Sequence, residues 1–185
     1  MGLQYLHNKL LRIAEKILSR SNFLTELYIN LQEGTIREEF SHFREDEVNL
    51  LVIGCGSIPN TIISLARWRK WNITGIDRDE TAIRNALRII ERYKLRNVRI
   101  EKVDGIDVSL KGYDIIVVAL GIEPKRKVLE RIARDADKGT YILCRTAGLF
   151  SRIFGRENFD DIKGLRLVKR YRRKDGTEAI IFLKE

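Results

Sequence analysis

The sequence predicts an α/β fold, a mostly parallel sheet of seven strands finished by an antiparallel hairpin and preceded by a short helical segment. Three observations carry the prediction. After Val48, short apolar runs alternate with amphipathic helical stretches, the pattern of a parallel sheet covered on both faces. The first of those runs ends in a glycine-rich turn, "VIGCGS". The last two runs have no helix between them, only Lys174-Asp175-Gly176.

The chain opens with helix. Leu3, Leu6, Leu10, Ile13 and Ile17 fall three or four apart, which places them on one face of a helix over 3–19. Further helices are expected over 22–32 and 34–43, broken near Gly34, and "FREDEVN" ends this cap of residues 1–46. The apolar face of 3–19 suits the body of the domain or a second subunit, so a homodimer is among the expected partners. Residues 47–185 form the main domain. Strands are expected at 49–54, 72–77, 97–104, 114–120 and 140–146, with "NTIISLARWRK", "ETAIRNALRIIERYKL" and "PKRKVLERIARDA" as helices between most of them. Runs this apolar suit strands buried on both faces. The segments 165–173 and 177–185 then flank a turn whose glycine can take positive φ, so they are expected to pair antiparallel.

Composition narrows the function classes. A chain of 185 residues can bury a real core in one domain. Lys and Arg number 35 against 26 Asp and Glu, a formal charge of +9, which favours anionic partners such as nucleic acid. Both signs mix along the helices, the pattern of surface ion-pair networks in thermophiles. No apolar run approaches the roughly 18 residues of a membrane helix. The charged N-terminus does not read as a signal peptide, so no membrane partner and a cytoplasmic location are expected. Cys55, Cys144, His7 and His42 have no metal-ligand spacing. The thiols are expected to be buried, and no metal site is expected.

Gly54 and Gly56 end the first strand, where glycine permits a tight turn and close approach of a ligand to the backbone. The next helix begins near Pro59, and its free N–H groups and positive dipole end face the turn. A dinucleotide fingerprint would carry a third glycine at the position of Pro59, so NAD and FAD are disfavoured. Asp77 ends the second strand, where a carboxylate can accept hydrogen bonds from both hydroxyls of a ribose. Asp79 is the better cap for the helix that follows. Asp104 ends the third strand in "KVDGID"; it either borders an adenine or builds a turn with Gly105 and Asp107.

These residues resemble the class I S-adenosylmethionine-dependent methyltransferases, over residues 48–185. The resemblance implies a Rossmann-like sheet and S-adenosylmethionine as cofactor. It implies that Gly54 and Gly56 hold the amino-acid end of the cofactor, Asp77 the ribose and Asp104 the adenine. Ser57, Arg78, Gly105 and Leu120 flank these positions and complete the expected contacts. A narrower resemblance lies in "GCGSIPNT", "EPKRKVLERI" and "CRTAG", which are similar to the archaeal nicotianamine-synthase-like branch. There the same cofactor donates its aminocarboxypropyl group instead of methyl. The helical preface is short for that branch's substrate tunnel, and methyl transfer to a small molecule is the leading expectation, aminocarboxypropyl transfer the alternative.

Acceptor residues are expected on loops at the carboxyl ends of the strands. Glu123 follows the fourth strand, as a base, a holder of an amine acceptor, or an acid at a helix N-terminus. Arg145 and Thr146 end the fifth; Arg145 could grip a carboxylate bidentately or sit in an ion pair. Tyr28 and Glu39 could form a lid or serve the structure. The basic stretches "RLVKRYRRK" and "ARWRKW" keep RNA open as a partner beside a small-molecule acceptor. Replacing Asp77 by alanine is expected to weaken S-adenosylmethionine binding at least tenfold, about 1.4 kcal/mol, in titration calorimetry.

Overall fold

The computed structural model describes residues 3–43, 46–148 and 158–185, with the side chains of 3–8 and 11–12 outside that set. The elements run α1 (Leu3–Leu18), α2 (Asn22–Phe40), β1 (Asn49–Ile53), α3 (Asn60–Trp68), β2 (Asn72–Asp77) and α4 (Glu80–Tyr93). They continue as β3 (Val98–Lys102), β4 (Ile115–Val118), α5 (Lys125–Asp135), β5 (Tyr141–Thr146), β6 (Leu165–Arg172) and β7 (Glu178–Lys184). The strands form one seven-stranded sheet in the order β3-β2-β1-β4-β5-β7-β6. The first five pair parallel. β7 lies antiparallel to both β5 and β6, as a hairpin with no intervening helix requires. The strand order reverses between β1 and β4, and a crevice for a ligand opens at such a switch point.

Alternation along β1 divides the core in two. Leu50 and Val52 face a layer built with Ile29, Ile36 and Phe40 of α2, Ile62 of α3 and Ile89 of α4. Leu51 and Ile53 face the opposite layer, with Val128, Leu129 and Ile132 of α5. Every one of these strand residues is buried, as a strand covered on both faces must be. The helical cap therefore shares a core with the sheet, through α2.

Two expectations about the cap change. α2 runs unbroken through Gly34, starting at Ser21, whose side chain accepts from Leu24 N–H. Glycine costs a helix interior only about 1 kcal/mol, and burial of Ile29, Ile36 and Phe40 on one face outweighs it. Helix α1 does not turn its apolar row inward. Leu10, Ile13 and Ile17 are exposed, as are Phe23, Leu27 and Leu31 of α2; the side chains of Leu3 and Leu6 lie outside the described residues. What α1 presents to the sheet instead is Ala14, Glu15 and Leu18. Gly34 is exposed, and a Cβ there meets nothing within 4 Å. Gly34→Ala is expected to stabilise the protein by about 1 kcal/mol, read as a rise in Tm of roughly 2–4 °C.

Candidate functional site

A cavity of about 540 Å³ opens at the carboxyl ends of the parallel strands, a size suited to a nucleoside-containing ligand. Its floor is the turn after β1. Gly54 and Gly56 adopt φ of 84° and 71°. A Cβ on Gly54 would stand 2.5 Å from Ile122 Cδ1, and one on Gly56 2.5 Å from Glu15 Oε2. The turn is stitched to β2: Gly54 and Cys55 N–H donate to the Ile76 carbonyl at 2.8 and 2.9 Å. Gly56 N–H donates to Asp77 Oδ2 at 3.1 Å, and Asp79 N–H to Asp77 Oδ1 at 2.9 Å. An ionised carboxylate has about four lone-pair sites, so Asp77 can still accept from two hydroxyls. Asp79 caps α4, accepting from Thr81 and Ala82.

Arg78, Asp104, Gly105 and Leu120 border the same cavity. Asp104 builds the turn and also lines the cavity. Its Oδ1 takes Ile106 N–H at 3.1 Å, and its Oδ2 lies 3.8 Å from Arg78. Gly105 lies so close to β1 that a Cβ would stand 2.6 Å from Ile53 Cγ2. Ser57 departs from expectation. Its side chain is buried and does not line the cavity, because the loop turns inward before α3 begins at Asn60. The backbone N–H of Ser57 remains, and Glu15 accepts it.

The other end of the cavity is lined by Glu15, Tyr28 and Gln32 from the cap and by Arg173, Asp175 and Thr177 from the β6–β7 hairpin. Glu123 stands at the mouth of α5 and also lines it. Arg145 lines it too, but its hydrogen bonds are committed. Nε donates to Glu39 Oε1 at 3.1 Å, Nη2 to Glu39 Oε2, and Nη1 to Thr61 Oγ1 at 2.8 Å. Arg145 therefore grips the protein's own carboxylate, not a substrate's. Glu39 is no lid either: its side chain is fully buried, shared with Arg173 Nε at 3.1 Å. The Thr146 hydroxyl turns to Glu178 at 3.3 Å.

Glu15 is half-buried, and burial of its carboxyl end, reinforced by Asp77, pushes its pKa up to about 7 despite the Ser57 N–H. Burial and the neighbouring Glu15 charge raise Tyr28 to about 12, so it stays a phenol. Burial also pushes the Cys55 thiol up; it is inert. Neither Glu15 nor Asp77 has an ion-pair partner among the described residues. No group of three or more metal-ligating side chains occurs among the described residues.

A family model described as nicotianamine synthase protein matches residues 24–185. The chain belongs to the nicotianamine synthase family. Among solved structures, a glutamate-to-glutamine mutant of a protein called MtNAS superposes with a TM-score of 0.81 at 22% identity, covering 97% of this chain and 71% of that one. MtNAS in complex with MTA and tNA gives 0.78 at 21% identity, over 95% and 70%. An S-adenosylmethionine-dependent methyltransferase from Aquifex aeolicus gives 0.66 at 16% identity, over 81% and 89%. At these identities the structures establish the Rossmann-like methyltransferase fold. No curated protein sequence matches.

Sequence reasoning missed Glu15, Arg173, Asp175 and Thr177. Asp175 read only as a turn residue, and Glu15 as one acid on a charged helix that lies ahead of the matched region. Glu39→Gln is expected to cost about 3–5 kcal/mol, because it leaves two guanidiniums buried around a neutral amide. Urea unfolding would show a lower midpoint at unchanged slope.

Proposed function

We propose that the protein transfers the aminocarboxypropyl arm of S-adenosylmethionine to the nitrogen of a small amine. The observation that carries this reading is the family match over residues 24–185, which favours the arm over the methyl group that the short cap had suggested. Membership makes the chain an S-adenosylmethionine-dependent transferase. The related MtNAS has been solved with S-adenosylmethionine and with MTA. MTA, methylthioadenosine, is what remains of the cofactor once the arm has left.

The cavity fits the cofactor by its own features: a glycine floor that a Cβ would obstruct, and a carboxylate with spare acceptor capacity beside it. Asp77 would take the ribose hydroxyls, with Asp104, Gly105, Arg78 and Leu120 around the base and Gly54 and Gly56 beneath the sulfur end. Bound there, S-adenosylmethionine supplies an arm carbon open to attack, the C–S electron pair passing to sulfur.

The chain's part is to orient the acceptor and take its proton. An attacking amine must lose one proton, and Glu15 is the base for it. A pKa of about 7 keeps it substantially ionised at neutral pH and able to hold the proton it receives. Tyr28 stands beside it as a neutral donor. Glu123, the earlier candidate for base, lines the same cavity, and Arg145 is a structural partner of Glu39. The carboxylates of Glu15 and Asp77, which have no ion-pair partner among the described residues, favour a cationic acceptor and disfavour RNA phosphates; apart from Arg173, the basic stretches do not line this cavity.

Incubating the protein with S-adenosylmethionine and a panel of amino acids and polyamines is expected to release methylthioadenosine. S-adenosylhomocysteine as the sole nucleoside product would overturn the reading in favour of methyl transfer. Glu15→Gln is expected to lower kcat by roughly 10²–10⁴-fold. It should also abolish the rise in rate that the wild type shows as pH passes through about 7.

A further inference from the structure

We propose that Arg173, at the base of the β6–β7 hairpin, takes the carboxylate of the cofactor's aminocarboxypropyl arm, and that Asp175 is the carboxylate the arm displaces. This rests on the proposed function and adds where the arm points.

An amino-acid carboxylate needs a guanidinium or the free amides of a helix N-terminus. At the glycine turn three of those amides are already used. Gly56 N–H is held by Asp77 at 3.1 Å, Ser57 N–H by Glu15, and Thr61 N–H by Asn60 Oδ1 at 2.8 Å. Moreover the Glu15 carboxylate stands directly over Gly56, so a second carboxylate there would meet it charge against charge. The arm's anionic end must be met elsewhere.

Among the described residues, three guanidiniums line the cavity. Arg78 lies by Asp104 at the opposite end and is half-exposed. Arg145 is committed to Glu39 and Thr61. Arg173 differs from both. Its side chain is only 6% exposed, and its Nε is buried with no hydrogen bond, since Glu39 lies near it but off its axis. Its Nη1 reaches Asp175 Oδ2 at 2.9 Å and Thr177 Oγ1 at 3.0 Å. Asp175 sits at the tip of the β6–β7 turn, where its Oδ1 also accepts from Thr177 N–H and from the Thr177 hydroxyl, and hairpin tips open locally at lower cost than core strands. A carboxylate entering from the cavity keeps the charge balance around Arg173 when it replaces Asp175. Tyr28 lines the same cavity as Glu15 and as Arg173 and Asp175 of the hairpin, so the proposed base and the hairpin border one space. An arm drawn toward Arg173 leaves the glycine turn and runs to the base.

The test is calorimetry with three probes. These are S-adenosylmethionine; its decarboxylated form, which keeps sulfonium and amine; and methylthioadenosine, which lacks the arm. The wild type is expected to prefer S-adenosylmethionine to the decarboxylated probe by about tenfold or more. Arg173→Met should reduce that preference to less than about threefold, with methylthioadenosine affinity within about twofold of wild type. Asp175→Asn keeps Arg173 and removes the competitor, so affinity for S-adenosylmethionine should rise, and that for the decarboxylated probe should stay level. An unchanged preference in Arg173→Met overturns the proposal, as does a fall or no change in Asp175→Asn; if Arg173→Met fails to fold, Asp175→Asn decides alone. A wild type that binds no methylthioadenosine overturns the proposed function as well. One that binds it yet ignores the carboxylate overturns only the placement of the arm.

Discussion

The Glu39 carboxylate, closed off from solvent between Arg145 and Arg173, is the constraint on which the acceptor end of the cavity depends. It joins α2 to the end of β5 and to the closing hairpin. Through Arg145 Nη1 it also reaches Thr61 at the start of α3. A buried ion pair gives little net stability, because desolvating the charges offsets most of their attraction. Its value here is register: three segments far apart in the chain can be placed in only one way if this carboxylate is to be satisfied. The backbone of Arg145 is fixed by a second buried cation. Lys125 Nζ donates to the carbonyls of Arg145 and Leu120 at 2.8 and 3.0 Å, so the loops after β4 and β5 are held to each other and to the start of α5.

Charge is distributed against the overall sign. The protein carries +9, yet Glu15 and Asp77 line the cavity without a cationic partner among the described residues. Burial is the main reason Glu15 holds its proton up to about pH 7, and the neighbouring Asp77 charge adds to it. A ligand bearing a sulfonium, or an ammonium on its acceptor nitrogen, offsets that charge. The basic residues outside govern solubility and encounter with anions; they carry no information about what enters the site. Net charge is for this reason a poor guide to the acceptor.

Much of the fold was legible in the sequence because its signals are local. Gly54, Gly56 and Asp77 mark a strand, a turn and the next strand end, all set by nearest neighbours. The double-sided burial of β1 shows in its uninterrupted apolar run. Gly34 misled because helix propensity is weak beside the burial of Ile36 and Phe40. Arg145 misled for another reason: its partner Glu39 lies 106 residues away, and only the assembled fold reveals that its donors are committed. Glu15, Arg173 and Asp175 were illegible on the same ground. Each is an ordinary charged residue in a charged neighbourhood, and what distinguishes it is a cavity built from segments far apart in the chain.

The seat of α1 and the shape of the glycine turn are one arrangement. Leu10, Ile13 and Ile17 stay largely exposed; α1 is fastened through Leu18, which packs on the core, and through polar contacts. Lys16 pairs with Asp79 at 2.6 Å, Arg88 donates to the Ser19 carbonyl, and Thr25 Oγ1 donates to the Leu18 carbonyl at 3.2 Å. Contacts of this kind, partly in water, contribute about 1 kcal/mol or less apiece. The same Asp79 gives its own N–H to Asp77, which holds Gly56 N–H, while Glu15 lies against Gly56 from above. A continuous chain of contacts thus runs from Lys16 through both aspartates to the turn and back to α1. The seat of α1, and with it the position of Glu15, is therefore set together with the turn and with Asp77.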